Sequence, residues 1–257
     1  MNYKEQKSYN NINDAKRKIN KAKSEHTDSI RDMDKLVTFI EDNVKVAIEK
    51  NIKTIGISDH GYKHIAYGVK YDSIAKMREE IDKLNEKYKE IEILLGMECN
   101  ILDDKGNIDL DDKIEDMLDY TMAGYHFGSK PTCIKSALDH AFNYLKFKNW
   151  CKDYNTNAVV NAIKNNNLFI VTHPGDKGDV YIEEVAKAAI SKNTFLEINS
   201  HHGYLNVDQL NKIKNTGVEF VIGSDAHRPE HIGNFEKAIK IAEDAKLDFN
   251  LIKNIKI

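Results

Sequence analysis

The chain has 257 residues, 41% of them hydrophobic, which is enough for one large core in a single enzyme-sized domain. Its 38 basic and 41 acidic residues leave a net charge of -3 spread along the sequence, so composition gives no electrostatic case for nucleic acid as a partner. No segment has the length of an apolar membrane span and the N-terminus is polar rather than signal-like. Cys99, Cys133 and Cys151 are odd in number without C-x-x-C spacing, so neither a disulfide framework nor a zinc knuckle is expected and a cytoplasmic protein is.

Residues 1–32 are rich in Lys, Asn, Ser and Glu and read as a polar arm with, at most, a weak helix around Ala15 to Lys23 and no strand. The rest, 33–257, reads as one domain. A helix is expected over 33–51, where Leu36, Val37, Ile40, Val44, Ala47 and Ile48 form an apolar stripe. Further helices are expected at 72–88, 156–165, 182–191, 207–215 and 235–246, several opened by an Asp, Asn or Thr of the N-cap type. Residues 127–154, with Pro131 and Trp150, read as a loop carrying one or two short helices.

Between the helices lie short apolar runs, and each ends in groups that can bind a metal. They finish at Asp59 and His60, Glu98, His126, His173, His201 and His202, and Asp225 and His227. Alternating strands and helices build a parallel α/β sheet or barrel whose strand C-termini meet at one rim. A lone His is more often a surface or structural residue than a ligand. Recurrence at the same place in successive β-α units changes that balance, because the fold itself gathers the strand ends.

The stretches Thr54-Ile-Gly-Ile-Ser-Asp-His-Gly61, Leu95-Gly-Met-Glu98, Ala123-Gly-Tyr-His126, Val171-Thr-His-Pro-Gly-Asp176, Leu196-Glu-Ile-Asn-Ser200 and Val221-Ile-Gly-Ser-Asp-Ala-His-Arg228 resemble the PHP family, named for polymerase and histidinol phosphatase. The likeness is to its stand-alone, phosphatase-like branch. It implies a distorted (β/α)7 TIM-like barrel and one to three zinc, manganese or iron ions. Carried over by position, Glu98 becomes a bridging carboxylate with His126 and His173 around one ion, Asp225 a ligand of a second, and His60 and His227 ligands of a third. The family's N-terminal H-x-H is not evident, so the first strand is left open. His26 and Asp28 are read either as its replacement or as exposed polar residues.

His64, His202 and Arg228 are the candidate substrate-binding residues. Arg228 offers a planar pair of donors suited to phosphate, against a bland reading as a surface ion pair. The expected activity is hydrolysis of a small phosphomonoester by a metal-activated water, with no catalytic side chain beyond the metal ligands. The runner-up is a catalytically weakened protein of the same fold serving as a metal-stabilised binding or scaffold module. The sequence is silent on oligomeric state.

Overall fold

The computed structural model describes residues 23–26, 33–145 and 148–255, with side chains from residue 39 onward except 148–150. Asp28 and most of the expected Ala15 to Lys23 helix therefore lie outside the described residues. The strands are β1 (Lys23–His26), β2 (Thr54–His60), β3 (Glu92–Ile101), β4 (Tyr120–Tyr125), β5 (Ile170–Val171), β6 (Phe195–Asn199) and β7 (Phe220–Gly223). Among the described residues the α-helices are α1 (Met33–Glu49), α2 (Ser73–Lys87), α3 (Asp112–Glu115), α4 (Ile134–Tyr144), α5 (Lys148–Asn165), α6 (Ile182–Lys192), α7 (Val207–Ile213) and α8 (Glu236–Asp244). Strands β2 to β7 pair in chain order, all parallel, in a curled α/β sheet.

Two expectations need correcting. Lys23 to His26 form a strand after all, paired with Ile55 to Ser58 of β2 and, through Ser24 opposite Gly223, with β7. Side-chain patterning gives no hint of it, because the bonds that hold it are main-chain bonds to two neighbouring strands with donors and acceptors to satisfy. The helix expected to begin at 156 begins at Lys148 instead. Its buried residues Cys151, Tyr154, Ala158, Val159, Ala162 and Ile163 keep helical spacing, but buried Asn155 and Thr156 interrupt the apolar signal.

Strand side chains alternate between the two faces. The outer positions Ile55 and Ile57, Ile93, Leu95 and Met97, and Phe220 and Ile222 pack in the main core with the helices, among them Ile40, Val44 and Ala47 of α1 and Met77, Ile81 and Leu84 of α2. Each fully buried aliphatic side chain of this layer contributes about 1.5–3 kcal/mol. A separate interior cluster joins Leu94, Tyr120, Met122, Phe169, Ile170, Phe195 and Val221.

That inner face sets up the site. Read along each strand, its residues are Gly56, Ser58 and His60; Leu94, Gly96 and Glu98; Tyr120, Met122 and Gly124, leading to His126; and Val221 and Gly223, leading to Asp225. Apolar or small residues fill the lower layers and polar ones crown them. The Tyr120 ring lies across Gly96 and Gly56, where any Cβ would overlap it, and its hydroxyl bonds Ser58 Oγ. This plug closes the interior directly beneath the rim.

Candidate metal centre and its cavity

Parallel register places His60 opposite Glu98, so two inward side chains arrive at the same height. The Glu98 carboxylate is buried and faces three imidazoles. His60 Nδ1 is 3.4 Å from Oε2, and His126 Nε2 and His173 Nε2 are each 3.2 Å from Oε1. The tightest group is His60, Glu98 and His126, whose ligand atoms all lie within 4.8 Å of one another. His126 and His173, the partners expected for Glu98, both face its Oε1, and His60 joins them at Oε2. Adjacent, fully paired strands deliver His60 and Glu98 together, whereas His173 follows a strand of two residues, Ile170–Val171.

Asn100, two residues beyond Glu98 on the same face, fixes how His126 presents itself. Asn100 Nδ2 donates to Gly61 O at 3.1 Å and to Asp109 Oδ2 at 2.7 Å, so its Oδ1 is the acceptor 2.9 Å from His126 Nδ1. His126 is thereby assigned its proton on Nδ1, and the Nε2 lone pair is turned toward Glu98 Oε1. That nitrogen is buried with no hydrogen-bond partner. A lone pair and a carboxylate oxygen at this separation repel unless positive charge sits between them, which a proton or a divalent cation supplies. A histidine held from behind by an amide oxygen is the arrangement that orients a metal ligand.

The opposite wall is a second hydrogen-bonded set. Glu197 Oε2 accepts from Thr172 Oγ1 at 2.6 Å, His173 N at 3.0 Å and Asn199 Nδ2 at 3.1 Å, while Asn199 Nδ2 also reaches Asp225 Oδ2 at 3.0 Å. Burial, aided by the charge of Asp225, pushes the Glu197 carboxyl up. His173 and Asp225 both take left-handed backbone conformations, φ 26 and 52, which are uncommon for residues other than glycine. Such strain persists where the surroundings over-determine it, as these bonds do. Burial alone would depress His173, but its hydrogen bond to Glu98 and the Glu98 charge outweigh that and push its pKa up to about 9.

His202 lies between two carboxylates, with Nδ1 3.1 Å from Asp176 Oδ2 and Nε2 3.1 Å from Asp225 Oδ2. Lys177 Nζ is 2.6 Å from the same Asp176 oxygen. The Lys177 hydrogen bond and the nearby imidazoles overcome the effect of burial and hold Asp176 below the usual carboxylate range. His227 Nδ1 lies 2.9 Å from Asp225 O.

All of these walls enclose one cavity of about 440 Å³, lined by His60, His126, His173, His202, Asp225 and His227, and by His64, Tyr67, Phe127 and Lys177 nearer the mouth. His64 stacks 4.9 Å from His60 and 5.3 Å from Tyr67, and its Nδ1 accepts from Tyr67 N at 3.0 Å. The close approach of its ring to Gly128 leaves no room for a Cβ there.

Arg228 is the candidate that falls away. Its side chain is 72% exposed, 4.0 Å from Glu230, and does not line the cavity. It follows His227 beyond the strand, where inward and outward alternation no longer applies, and it takes the surface ion pair of the bland reading. Residues missed from sequence are Asn100, Glu197, Asn199 and Tyr67. Of these, Glu197 carried a signal, a carboxylate inside the apolar run Phe195–Asn199 at an inward position.

The PHP domain family matches residues 33–201. A probable phosphatase of Caldanaerobacter subterraneus subsp. tengcongensis is 32% identical over 246 residues, spanning 90% of this chain and 86% of that protein. A probable phosphatase of Clostridium acetobutylicum is 30% identical over 245 residues, spanning 89% and 88%. Among solved structures, histidinol phosphate phosphatase from Lactococcus lactis, complexed with zinc, L-histidinol and phosphate, aligns with a TM-score of 0.55 at 15% identity, spanning 88% of this chain and 94% of that one, and so shares the fold. On these sequence matches, this chain belongs to the PHP family.

Proposed function

We propose that this protein is a metal-dependent phosphatase that hydrolyses a small phosphomonoester, and that its domain takes in β1 as well as the expected span 33–257. The observation that carries the reading is the convergence of His60, His126 and His173 on the buried Glu98 at the deep end of an open cavity in a PHP chain. The donor set fits a divalent ion, since imidazole nitrogens and a carboxylate suit zinc, manganese or iron, and the His126 lone pair calls for positive charge. His60, Glu98, His126 and His173 would hold one such ion, with Asp225 and His227 available to one or two more. We further assign the chain the distorted seven-stranded barrel of the PHP type, with β1 completing the circle, and a cytoplasmic setting, which suits three unpaired cysteines.

When bound, divalent ions lower the pKa of water and draw charge from phosphoryl oxygens. The chain's own residues do the rest. Lys177 supplies an ammonium to phosphate oxygens at the cavity wall. His64, whose Nδ1 is engaged by backbone amides, carries its proton at Nε2 and donates from there. Asp176 and Asp225 hold the His202 imidazole in one orientation beside the ring. Among the described residues no Cys lines the cavity, so the fold offers water rather than a thiol as nucleophile.

The test is elemental analysis of the purified chain together with hydrolysis of p-nitrophenyl phosphate in zinc, manganese and iron. Tightly held ions with turnover are expected. A fully metal-loaded protein that hydrolyses no phosphomonoester would overturn the phosphatase reading in favour of a scaffold role.

A further inference from the structure

Helix α5 carries two buried polar residues side by side where its neighbours are apolar. Asn155 and Thr156 are shut away from solvent between Cys151 and Tyr154 on one side and Ala158 and Val159 on the other. An amide or hydroxyl in such a place is costly unless it is hydrogen-bonded. Both residues bond the same segment, 172–181, which crosses from β5 to α6 without helix or strand and brings Lys177 to the cavity wall.

Asn155 Nδ2 donates to Asp179 O at 3.1 Å. Thr156 Oγ1 accepts from Tyr181 N at 2.9 Å while donating to Lys152 O at 2.7 Å. Gly178 lies flat against the same place, since a Cβ there would stand 2.6 Å from Asn155 Nδ2 and 3.1 Å from Tyr125 Cδ1. The main chain that directly follows Lys177 is therefore seated on α5.

Asn155 is itself held. It pairs with Asn143 of α4 amide to amide, Asn143 Nδ2 to Asn155 Oδ1 at 3.0 Å and Asn155 Nδ2 to Asn143 Oδ1 at 3.1 Å. That leaves Asn155 one N–H, the one that Asp179 O accepts. Asn143 Nδ2 also donates to Tyr125 Oη at 2.9 Å, and Tyr125 Oη donates to the buried Asp139. Tyr125 ends β4, one residue before His126. The bonds thus run from the strand that delivers His126, through α4 and α5, to the main chain two residues past Lys177. A satisfied buried network of this kind fixes one arrangement rather than several. Lysine has a long flexible stem, so where its ammonium stands depends on where its main chain is fixed.

We propose that Asn155, with Thr156 beside it, is a positioning residue for phosphate binding. It fixes the main chain at Asp179 so that Lys177 presents its ammonium to the phosphate. The proposal rests on the phosphatase reading and adds to it a residue that does not itself line the cavity.

The test is a double-mutant cycle on the metal-loaded full chain with p-nitrophenyl phosphate. Asn155→Ala should raise KM about tenfold, as loss of the Lys177 ammonium does, with kcat within about threefold. In the Lys177→Ala background it should add less than about twofold, since the group it positions is gone. Independent losses would multiply to about a hundredfold, and that result overturns the proposal. Asn161→Ala is the control for general loosening of α5, because Asn161 Nδ2 bonds Asp104 O, in the loop after β3, at 2.8 Å. It should leave KM within about twofold, and a rise equal to that of Asn155→Ala overturns the proposal as well. Should Asn155→Ala not fold, Thr156→Val against Thr156→Ser makes the same comparison. Val removes the acceptor of Tyr181 N and should raise KM, whereas Ser keeps it and should not; equal KM values for the two overturn the proposal. Calorimetric binding of inorganic phosphate to the same proteins separates this inference from the reading it rests on. If phosphate binds but p-nitrophenyl phosphate is not hydrolysed, the phosphatase reading fails and the cycle, read in Kd, still decides the role of Asn155. A metal-loaded chain that binds no phosphate overturns both.

Discussion

Asn100 Oδ1 accepts from His126 Nδ1 at 2.9 Å, and this one contact decides which imidazole nitrogen faces Glu98. The same amide is fixed from the other side by Gly61 and Asp109, so neither partner is free to flip. Asn100→Ala should therefore weaken metal binding by about 10–100-fold, the usual cost of losing the group behind a ligating histidine. Competition with a chelator measures it. Wild-type affinity in the folded variant would show that the Nε2 lone pair plays no part in holding an ion.

Much of this arrangement was legible from side-chain pattern. Runs such as Phe220 to Gly223 alternate faces, and a parallel sheet gathers their ends, so Asp225 and His227 could be placed with His60 and His126 before any fold was in view. What pattern misses is whatever the main chain or the loops decide. Lys23 to His26 are held by backbone bonds to β2 and β7, and their polar composition conceals a strand. Arg228 and Lys177 both sit in loops past strand ends, where composition cannot tell an exposed cation from one lining the cavity. Asn100 was hidden for another reason, because its role is to orient a ligand and only the hydrogen-bond network reveals it.

The raised pKa of His173 predicts a proton cost for metal uptake. Its value rises from the ordinary 6.5 to about 9 through Glu98, so in the metal-free protein His173 is charged at neutral pH. A raised folded value stabilises the metal-free fold fully below pH 6.5 and loses that contribution as pH climbs through about 9. A cation at Glu98 displaces the proton. Calorimetry in buffers of differing ionisation enthalpy should find about one proton released per ion at pH 7.5, with apparent affinity rising toward pH 9. In Glu98→Gln the partner charge is gone and both effects should shrink along with metal content. Metal uptake without proton release at pH 7.5 would contradict the pairing.

Packing beneath the rim gives a stability prediction. The Tyr120 ring occupies the space where Gly96 would otherwise carry a Cβ, and overfilling a packed core costs about 1–3 kcal/mol. Gly96→Ala should lower Tm by a few degrees for each of those kcal/mol in a chain of this size. Tyr120→Ala makes room and also destabilises on its own, by about 3 kcal/mol or more. The double variant should then be more stable than the two single losses added together, since each substitution relieves the other. Simple additivity in thermal unfolding would mean that the ring and Gly96 do not share that space.

Two cations separate the reading of the cavity from the reading of the sequence. Lys177 lines the cavity beside Asp176 and His202, whereas Arg228 stands 72% exposed near Glu230. An ammonium at the wall of a phosphate site binds the anion in ground and transition states alike, so its loss raises KM more than it lowers kcat. Lys177→Ala should raise KM for p-nitrophenyl phosphate by about tenfold, in line with the loss of one charge-assisted hydrogen bond worth about 1.5–3 kcal/mol. Lys177→Arg, which keeps the charge, should recover part of it. Arg228→Ala should leave both constants within about twofold, since an exposed ion pair contributes about 0–1 kcal/mol and touches no substrate. The reverse pattern, a KM effect at Arg228 and none at Lys177, would mean that the loop after β7 folds over the cavity during turnover and that the phosphate is held from that side.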